Sequence, residues 1–208
     1  MARLTRTFYI GDTVAIARAL AGKYLVRRLS GETLVCRITE TEAYVGAVDK
    51  ACHAYGLRRT ARNAVMFGPP GHAYVYLIYG MHCCLNFVTN GDGEPDAVLL
   101  RGLIPVCGHD TMARLRFGCS YGELTAYQRK NLLNGPGKCC KALSLDRSWN
   151  GRDITGEELF LCDSPADAGL QETPEPPALV RATKRVGIDY AEEAKDFPWR
   201  FIWEEKPC

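Results

Sequence analysis

The sequence predicts an α+β fold, one mixed domain built around an antiparallel sheet. Two observations point there. Short runs rich in aromatic and β-branched residues recur along the chain and are joined by tight glycine turns, while helical patterning is confined to a few short stretches. A length of 208 residues suffices for one substantial core and is short for two, and no repeat or low-complexity tract interrupts the pattern.

Taken in order, Asp12 or Thr13 can cap a helix whose apolar positions Val14, Ile16, Ala17, Leu20 and Ala21 recur at helical spacing, with Gly22 ending it. Tyr24–Leu29 and Thr33–Thr39 read as strands joined by Ser30-Gly31, the second running on into Glu40-Thr41-Glu42-Ala43-Tyr44. Residues 45–72 are polar and rich in glycine and proline, hence mostly loop with short helical turns. Ala73–Tyr79 is the strongest strand signal; Gly80-Met81 turns the chain and Cys83–Val88 returns. Asn90-Gly91-Asp92-Gly93 is another tight turn, before a strand over Ala97–Leu103 that stops at Pro105. Asp110 is the expected cap of a helix over Met112–Arg116, a second helix covers Leu124–Leu133, and a short third follows Gly135-Pro136-Gly137-Lys138 through Leu143. Residues 152–203 alternate short strands with turns, and the proline-rich 173–177 stretch is a stiff linker.

Composition excludes several classes. With 47% apolar and 24% charged residues the chain is neither disordered nor a membrane protein. No apolar run approaches the roughly 20 residues of a bilayer span, and the N-terminus lacks a signal peptide's apolar stretch. The expected location is cytoplasmic, at the nucleoid if bacterial and in the nucleus if eukaryotic. The ten cysteines follow neither a disulfide framework nor a C-x-x-C pattern, so most read as small buried apolar residues in a reducing compartment. Cys107, Cys119 and Cys208, in loop-like or terminal sequence, stand out as reactive candidates. The four histidines show no metal-ligand spacing, so neither metal nor cofactor is expected. Net charge is only +2, yet basic residues cluster at 57–62, 112–116, 129–130, 138–141 and 181–185, and acids at 157–175 and 192–205.

Several residues can carry chemistry. Glu42 and Tyr44, two apart on a strand, share a face, and Glu40 joins them if the strand extends that far. In the hairpin, alternation puts Tyr74, Tyr76 and Ile78 on one face and Val75, Leu77 and Tyr79 on the other. Tyr76 can stack on a base and Asn86 can hydrogen-bond a base edge. His53 can be a stacking ring, a general acid or base, or a ligand. The backbone at Gly137 with Lys138 suits a phosphate; a plain helix-to-helix turn explains them equally well. On these residues alone, a non-catalytic nucleic-acid-binding module and a metal-dependent hydrolase remain alternatives to a metal-free enzyme.

The order and spacing of ETEAY (40–44), DKACH (49–53), RRTARNAVMF (58–67), YVYLIYGMHCCLN (74–86), GDG (91–93), VLLRGLIP (98–105), NGPGK (134–138) and TKRVGI (183–188) decide among them. This sequence resembles the alkyladenine (3-methyladenine) DNA glycosylase family over nearly its whole length. The resemblance implies a single domain, 1–208, with a curved antiparallel sheet, surrounding helices and a protruding β-hairpin that inserts into DNA. It implies a monofunctional enzyme that flips alkylated or deaminated purines (3-methyladenine, 7-methylguanine, hypoxanthine, ethenoadenine) from double-stranded DNA and hydrolyses the N-glycosidic bond. Carried over residue by residue, Glu42 resembles the general base, and Tyr44, His53 and Tyr76 the walls around the flipped base. Tyr79 resembles the intercalating wedge, and Asn86 the residue that screens the purine 2-position. Arg101 resembles a group that fixes the catalytic water. Arg58, Gly137 and Lys138 become candidates for the DNA backbone. An electron-rich cage of this kind favours a cationic purine. A buried Glu42 needs a partner to stay ionised, and Arg101 is the expected one. No lysine in these motifs suits Schiff-base chemistry. The protein is expected to act as a monomer.

Overall fold

The first helix begins where the Asp12 carboxylate accepts the Val14 N–H, and Thr13–Leu20 (α1) then turns Ile16, Ala17 and Leu20 into the core. Thr13 is therefore the first helical residue, its hydroxyl donating to Asp96 from inside the fold. In the computed structural model, which describes residues 3–91, 93–171 and 177–206, α1 lies on a curled antiparallel sheet of eight strands. The strands are β1 (Tyr24–Leu29), β2 (Glu32–Tyr44), β3 (Ala73–Ile78), β4 (His82–Thr89), β5 (Asp96–Cys107), β6 (Leu159–Cys162), β7 (Ala178–Thr183) and β8 (Arg200–Glu205). The main path runs β3-β4-β5-β2-β1-β6, with β8 joining β2 and β7 joining β8. No described helix is long and apolar enough to cross a membrane.

The 13-residue β2 organises the sheet. One edge pairs with β5 along most of its length; the other is shared by β1 over Glu32–Arg37 and β8 over Glu40–Glu42. Register shifts at Val35/Cys36, Ile38/Glu40 and Glu40/Thr41 bend the strand between those two neighbours. Apolar residues from α1, β1, β2, β4, β5 and α4 (Pro136–Ala142) fill the main core, while a smaller cluster of Cys52, Ala54, Met66, Tyr74, Val88 and Ala97 underlies Tyr44 and Tyr76.

Three local expectations need correcting. β5 does not stop at Pro105 but continues to Cys107; the Leu103 N–H already points away from β2, to the Leu133 carbonyl, so the missing N–H of Pro105, two residues on, falls on that same side and costs no ladder bond to β2. Gly108, with φ +83°, precedes α2 (His109–Phe117), so Asp110 is not a cap; it sits in the first turn and accepts the Tyr121 N–H at 2.7 Å. α3 covers only Ala126–Lys130, started by a Thr125/Gln128 capping box, and Leu132 and Leu133 leave the helix to enter the core. Cys36, Cys52, Cys84, Cys139, Cys140 and Cys162 are buried, as small apolar residues should be, and Cys107 and Cys119 are half-buried. Residues 173–176 of the linker, Asp92 of the 90–93 turn and Cys208 lie outside the described residues.

Candidate active site

The end of β2 carries the acid. Ala43 points into the core, so Glu42 and Tyr44 turn to the other face, and the Tyr44 hydroxyl donates to Glu42 Oε2 at 2.8 Å. Glu40, two residues back on the same face, shares a partner with Glu42. Arg101, the residue of β5 left unpaired at the Glu40/Thr41 irregularity, places Nε 2.9 Å from Glu40 Oε1 and 3.3 Å from Glu42 Oε1. Arg200 of β8 also donates to Glu40 Oε1, at 2.6 Å. The backbone N–H of Val186 donates to Glu42 Oε1 at 2.8 Å.

Glu42 is wholly closed to solvent. Burial raises its pKa; Arg101, the Val186 N–H and the Tyr44 hydroxyl oppose the rise without cancelling it. Arg101 is thus a partner of the acid, as expected, but one of three. These same three residues line a cavity of about 440 Å³, together with His53, Tyr76 and Asn86. Glu42 therefore lies one layer behind the cavity wall, held by residues that form it.

The remaining wall comes from the β3–β4 hairpin and the loop after β2. The His53 ring meets Tyr76 edge-on at 4.6 Å, and its Nδ1 bonds the Tyr74 hydroxyl at 2.8 Å. Packing against these rings and the charge of Arg62 push the His53 pKa down to about 4, although the residue keeps part of its surface exposed. A neutral imidazole at physiological pH suits a stacking wall and not a proton donor. Asn86 is buried at the cavity lining, and its amide nitrogen donates to the Tyr74 carbonyl at 3.0 Å.

Tyr79 departs from strand alternation. It leaves β3 with φ +53° in the turn, 83% exposed, and lines the same cavity as Tyr74 and Tyr76 rather than the opposite face. The hairpin tip also exposes Met81. Three candidates lie outside the cavity lining. Arg58 is on the exposed loop, its carbonyl accepting from Asn63. Lys138 donates to Asn131 and Asn134, at 2.7 Å each. Gly137 packs under the hairpin, where a Cβ would stand 3.0 Å from His82 Cβ.

A family model described as methylpurine-DNA glycosylase (MPG) matches residues 7–207. The chain belongs to the methylpurine-DNA glycosylase family. It is thus a DNA glycosylase of a family that acts on alkylated bases. Curated relatives named for 3-methyladenine DNA glycosylase include one from Desulfitobacterium hafniense (strain Y51), 50% identical over 99% of this chain and 97% of its own length. One from Alkaliphilus oremlandii (strain OhILAs) is 47% identical over the same shares. One from Clostridioides difficile (strain 630) is 44% identical over 97% of this chain and 100% of its own.

Sequence reasoning missed several residues that the glycosylase fold assembles here. Arg185 is fully buried: its Nη atoms donate to both Asp49 oxygens (2.5 and 2.8 Å), to the Ala43 carbonyl (2.8 Å) and to the Ala194 carbonyl (3.0 Å). Its guanidinium lies over the Tyr44 and Trp199 rings at 4.7 and 5.2 Å. Val186, its neighbour, holds Glu42 through a backbone atom, which no side-chain pattern announces. The TKRVGI stretch carried the signal, as a matching motif without a role. Arg62, which lines the cavity with its guanidinium 5.1 Å over Tyr76, lay inside the basic 57–62 run and the matching RRTARNAVMF stretch without a role of its own.

Proposed function

We propose that this chain, acting over 1–208 as one monomeric unit, excises damaged purines from double-stranded DNA as a monofunctional glycosylase. The observation that carries the reading is a buried carboxylate, Glu42, held directly behind the wall of an aromatic cavity by three residues that form it, Tyr44, Arg101 and Val186. A base inside the duplex shields its glycosidic bond, so the nucleotide must be everted, at a cost of a few kcal/mol. Tyr79 offsets part of that cost by occupying the gap. The everted purine enters between Tyr44 and the His53–Tyr76 pair, with Asn86 at its edge obstructing the 2-amino group of guanine. Substrates in this reading are 3-methyladenine, 7-methylguanine, hypoxanthine and ethenoadenine.

As the base departs, the sugar acquires oxocarbenium character. Glu42 stabilises that charge and takes a proton from the attacking water. Each carboxylate oxygen has two acceptor sites, so the attacking water can donate to Glu42 Oε2 beside the Tyr44 hydroxyl, which stays in place. No lysine is among the described residues that line the cavity, which favours hydrolysis over Schiff-base strand cleavage. Arg58, Gly137 and Lys138 are assigned to the DNA backbone; Lys138 must exchange its asparagine partners to serve there. The expected location is the cytoplasm, at the chromosome.

The test is single-turnover release of hypoxanthine and 3-methyladenine from oligonucleotide duplexes. Glu42→Gln is expected to abolish release and keep lesion binding, whereas undiminished release removes Glu42 from the mechanism. Tyr79→Ala is expected to weaken binding to lesion DNA far more than to undamaged duplex.

A further inference from the structure

We propose that Arg62 is a specificity-determining residue which turns the cavity away from cationic bases and toward neutral ones. The inference rests on the reading that the cavity receives the everted purine.

An aromatic ring attracts a cation through its negative face. Here both facing walls already carry a guanidinium: Arg185 lies 4.7 Å from the Tyr44 centroid and Arg62 lies 5.1 Å from the Tyr76 centroid. The two arginines differ in one respect. Arg185 is neutralised by Asp49 at 2.5 Å, deep in the fold. Arg62 has no carboxylate partner among the described residues; the groups it bonds there are neutral, the Leu77 carbonyl at 3.5 Å and the Tyr74 hydroxyl. It also lines the cavity itself, with its guanidinium over the Tyr76 ring, as an exposed residue whose charge water screens in part. The reach of that charge is visible in its neighbours: it pulls the pKa of His53 down and tempers the rise that burial imposes on Tyr74 and Tyr76.

The other acids near the cavity do not offset it. Glu40 is engaged by Arg101 and Arg200, and Glu42 by Arg101. A purine bearing a fixed positive charge therefore meets rings already committed to guanidinium groups, and one uncompensated cation beside them. A neutral purine of the same shape meets the same stacking surface without the repulsion. At a separation of roughly 6–8 Å in a partly solvated site, one such charge is worth about a 3- to 30-fold difference in affinity.

The experiment compares duplexes carrying 7-methylguanine, which is cationic, with duplexes carrying its neutral isostere 7-methyl-7-deazaguanine. Both are built on a 2′-fluoro sugar so that the base is not lost during equilibrium binding. The readout is the ratio of the two affinities for wild type, Arg62→Gln and Arg62→Lys. Arg62→Gln is expected to raise the cation-to-neutral ratio about 3- to 30-fold, and Arg62→Lys, which keeps the charge, to leave it within about twofold of wild type. A ratio unmoved in Arg62→Gln overturns the inference, including when both affinities fall together, the result expected of a simple phosphate contact. A ratio that shifts equally in both variants also overturns it, because shape and not charge is then responsible. Wild type that binds neither lesion better than undamaged duplex overturns the proposed use of the cavity, and this inference with it. Lesion binding with an unmoved ratio overturns the inference alone.

Discussion

Replacing Arg185 by methionine keeps most of its volume and removes its charge and its four hydrogen bonds. The Asp49 carboxylate, wholly buried, is then left without its cation, retaining only the Ala51 N–H at 2.9 Å, and the Ala43 and Ala194 carbonyls each lose a donor. Breaking a buried ion pair from one side costs about 3–5 kcal/mol, a large part of the ~5–15 kcal/mol that holds a domain together. For a chain of this size each kcal/mol lowers Tm by roughly 2–4 °C, so Arg185→Met is expected to melt about 6–20 °C below wild type. The assay is thermal and urea denaturation of wild type, Arg185→Met, Asp49→Asn and the double variant. In Asp49→Asn the side-chain amide can still accept the Ala51 N–H but carries no charge, so the double variant is expected to recover at least about 1 kcal/mol of the loss. A single-variant cost below about 1 kcal/mol, or additive effects of the two substitutions, refutes a stabilising coupling between Arg185, next to Val186, and Asp49 in the loop that follows β2.

Other predictions concern the acid and its surroundings. Because burial raises the Glu42 pKa above its ordinary 4.5, the native state binds an extra proton between 4.5 and that raised value; stability therefore grows as pH falls through this window and is penalised at neutral pH. Glu42→Gln, which cannot titrate, is expected to be more stable than wild type at neutral pH and to lose that advantage as the pH approaches 4.5, as followed by urea denaturation across pH. Base release by wild type is expected to fall as Glu42 takes up its proton, giving an acid limb above the ordinary glutamate range in a single-turnover pH profile. Tyr44→Phe removes one donor from the carboxylate and keeps the ring; its acid limb is expected to lie higher still, with release down about tenfold or more at mildly acid pH and lesion binding largely retained. Gly46→Ala forces a Cβ to within 2.6 Å of both Pro95 Cγ and the Pro95 carbonyl, so a loss of roughly 1–3 kcal/mol in urea denaturation is expected.

Local chemistry alone decided much of this protein. The Asp12 cap, the Tyr24–Leu29 and Ala73–Ile78 strands and the turns between them follow from side-chain periodicity and from glycines at positive φ, which act over a few residues and need no partner to be recognised. The pairing of Glu42 with Tyr44 follows from the two-residue period of a strand. What that period cannot express is its own interruption. The irregularity at Glu40/Thr41 leaves Arg101 unpaired on β5 beside the two carboxylates that the period puts on one face, and the left-handed turn carries Tyr79 to the cavity side; both depend on how neighbouring strands bend against one another. The contribution of TKRVGI was hidden for another reason. Arg185 meets Asp49 across 136 residues of chain and Val186 meets Glu42 across 144, one contact through a buried pair and the other through a backbone N–H common to nearly every residue. Tertiary structure alone decides such contacts, because a residue's burial and charge environment are set by the segments packed around it, however distant in sequence.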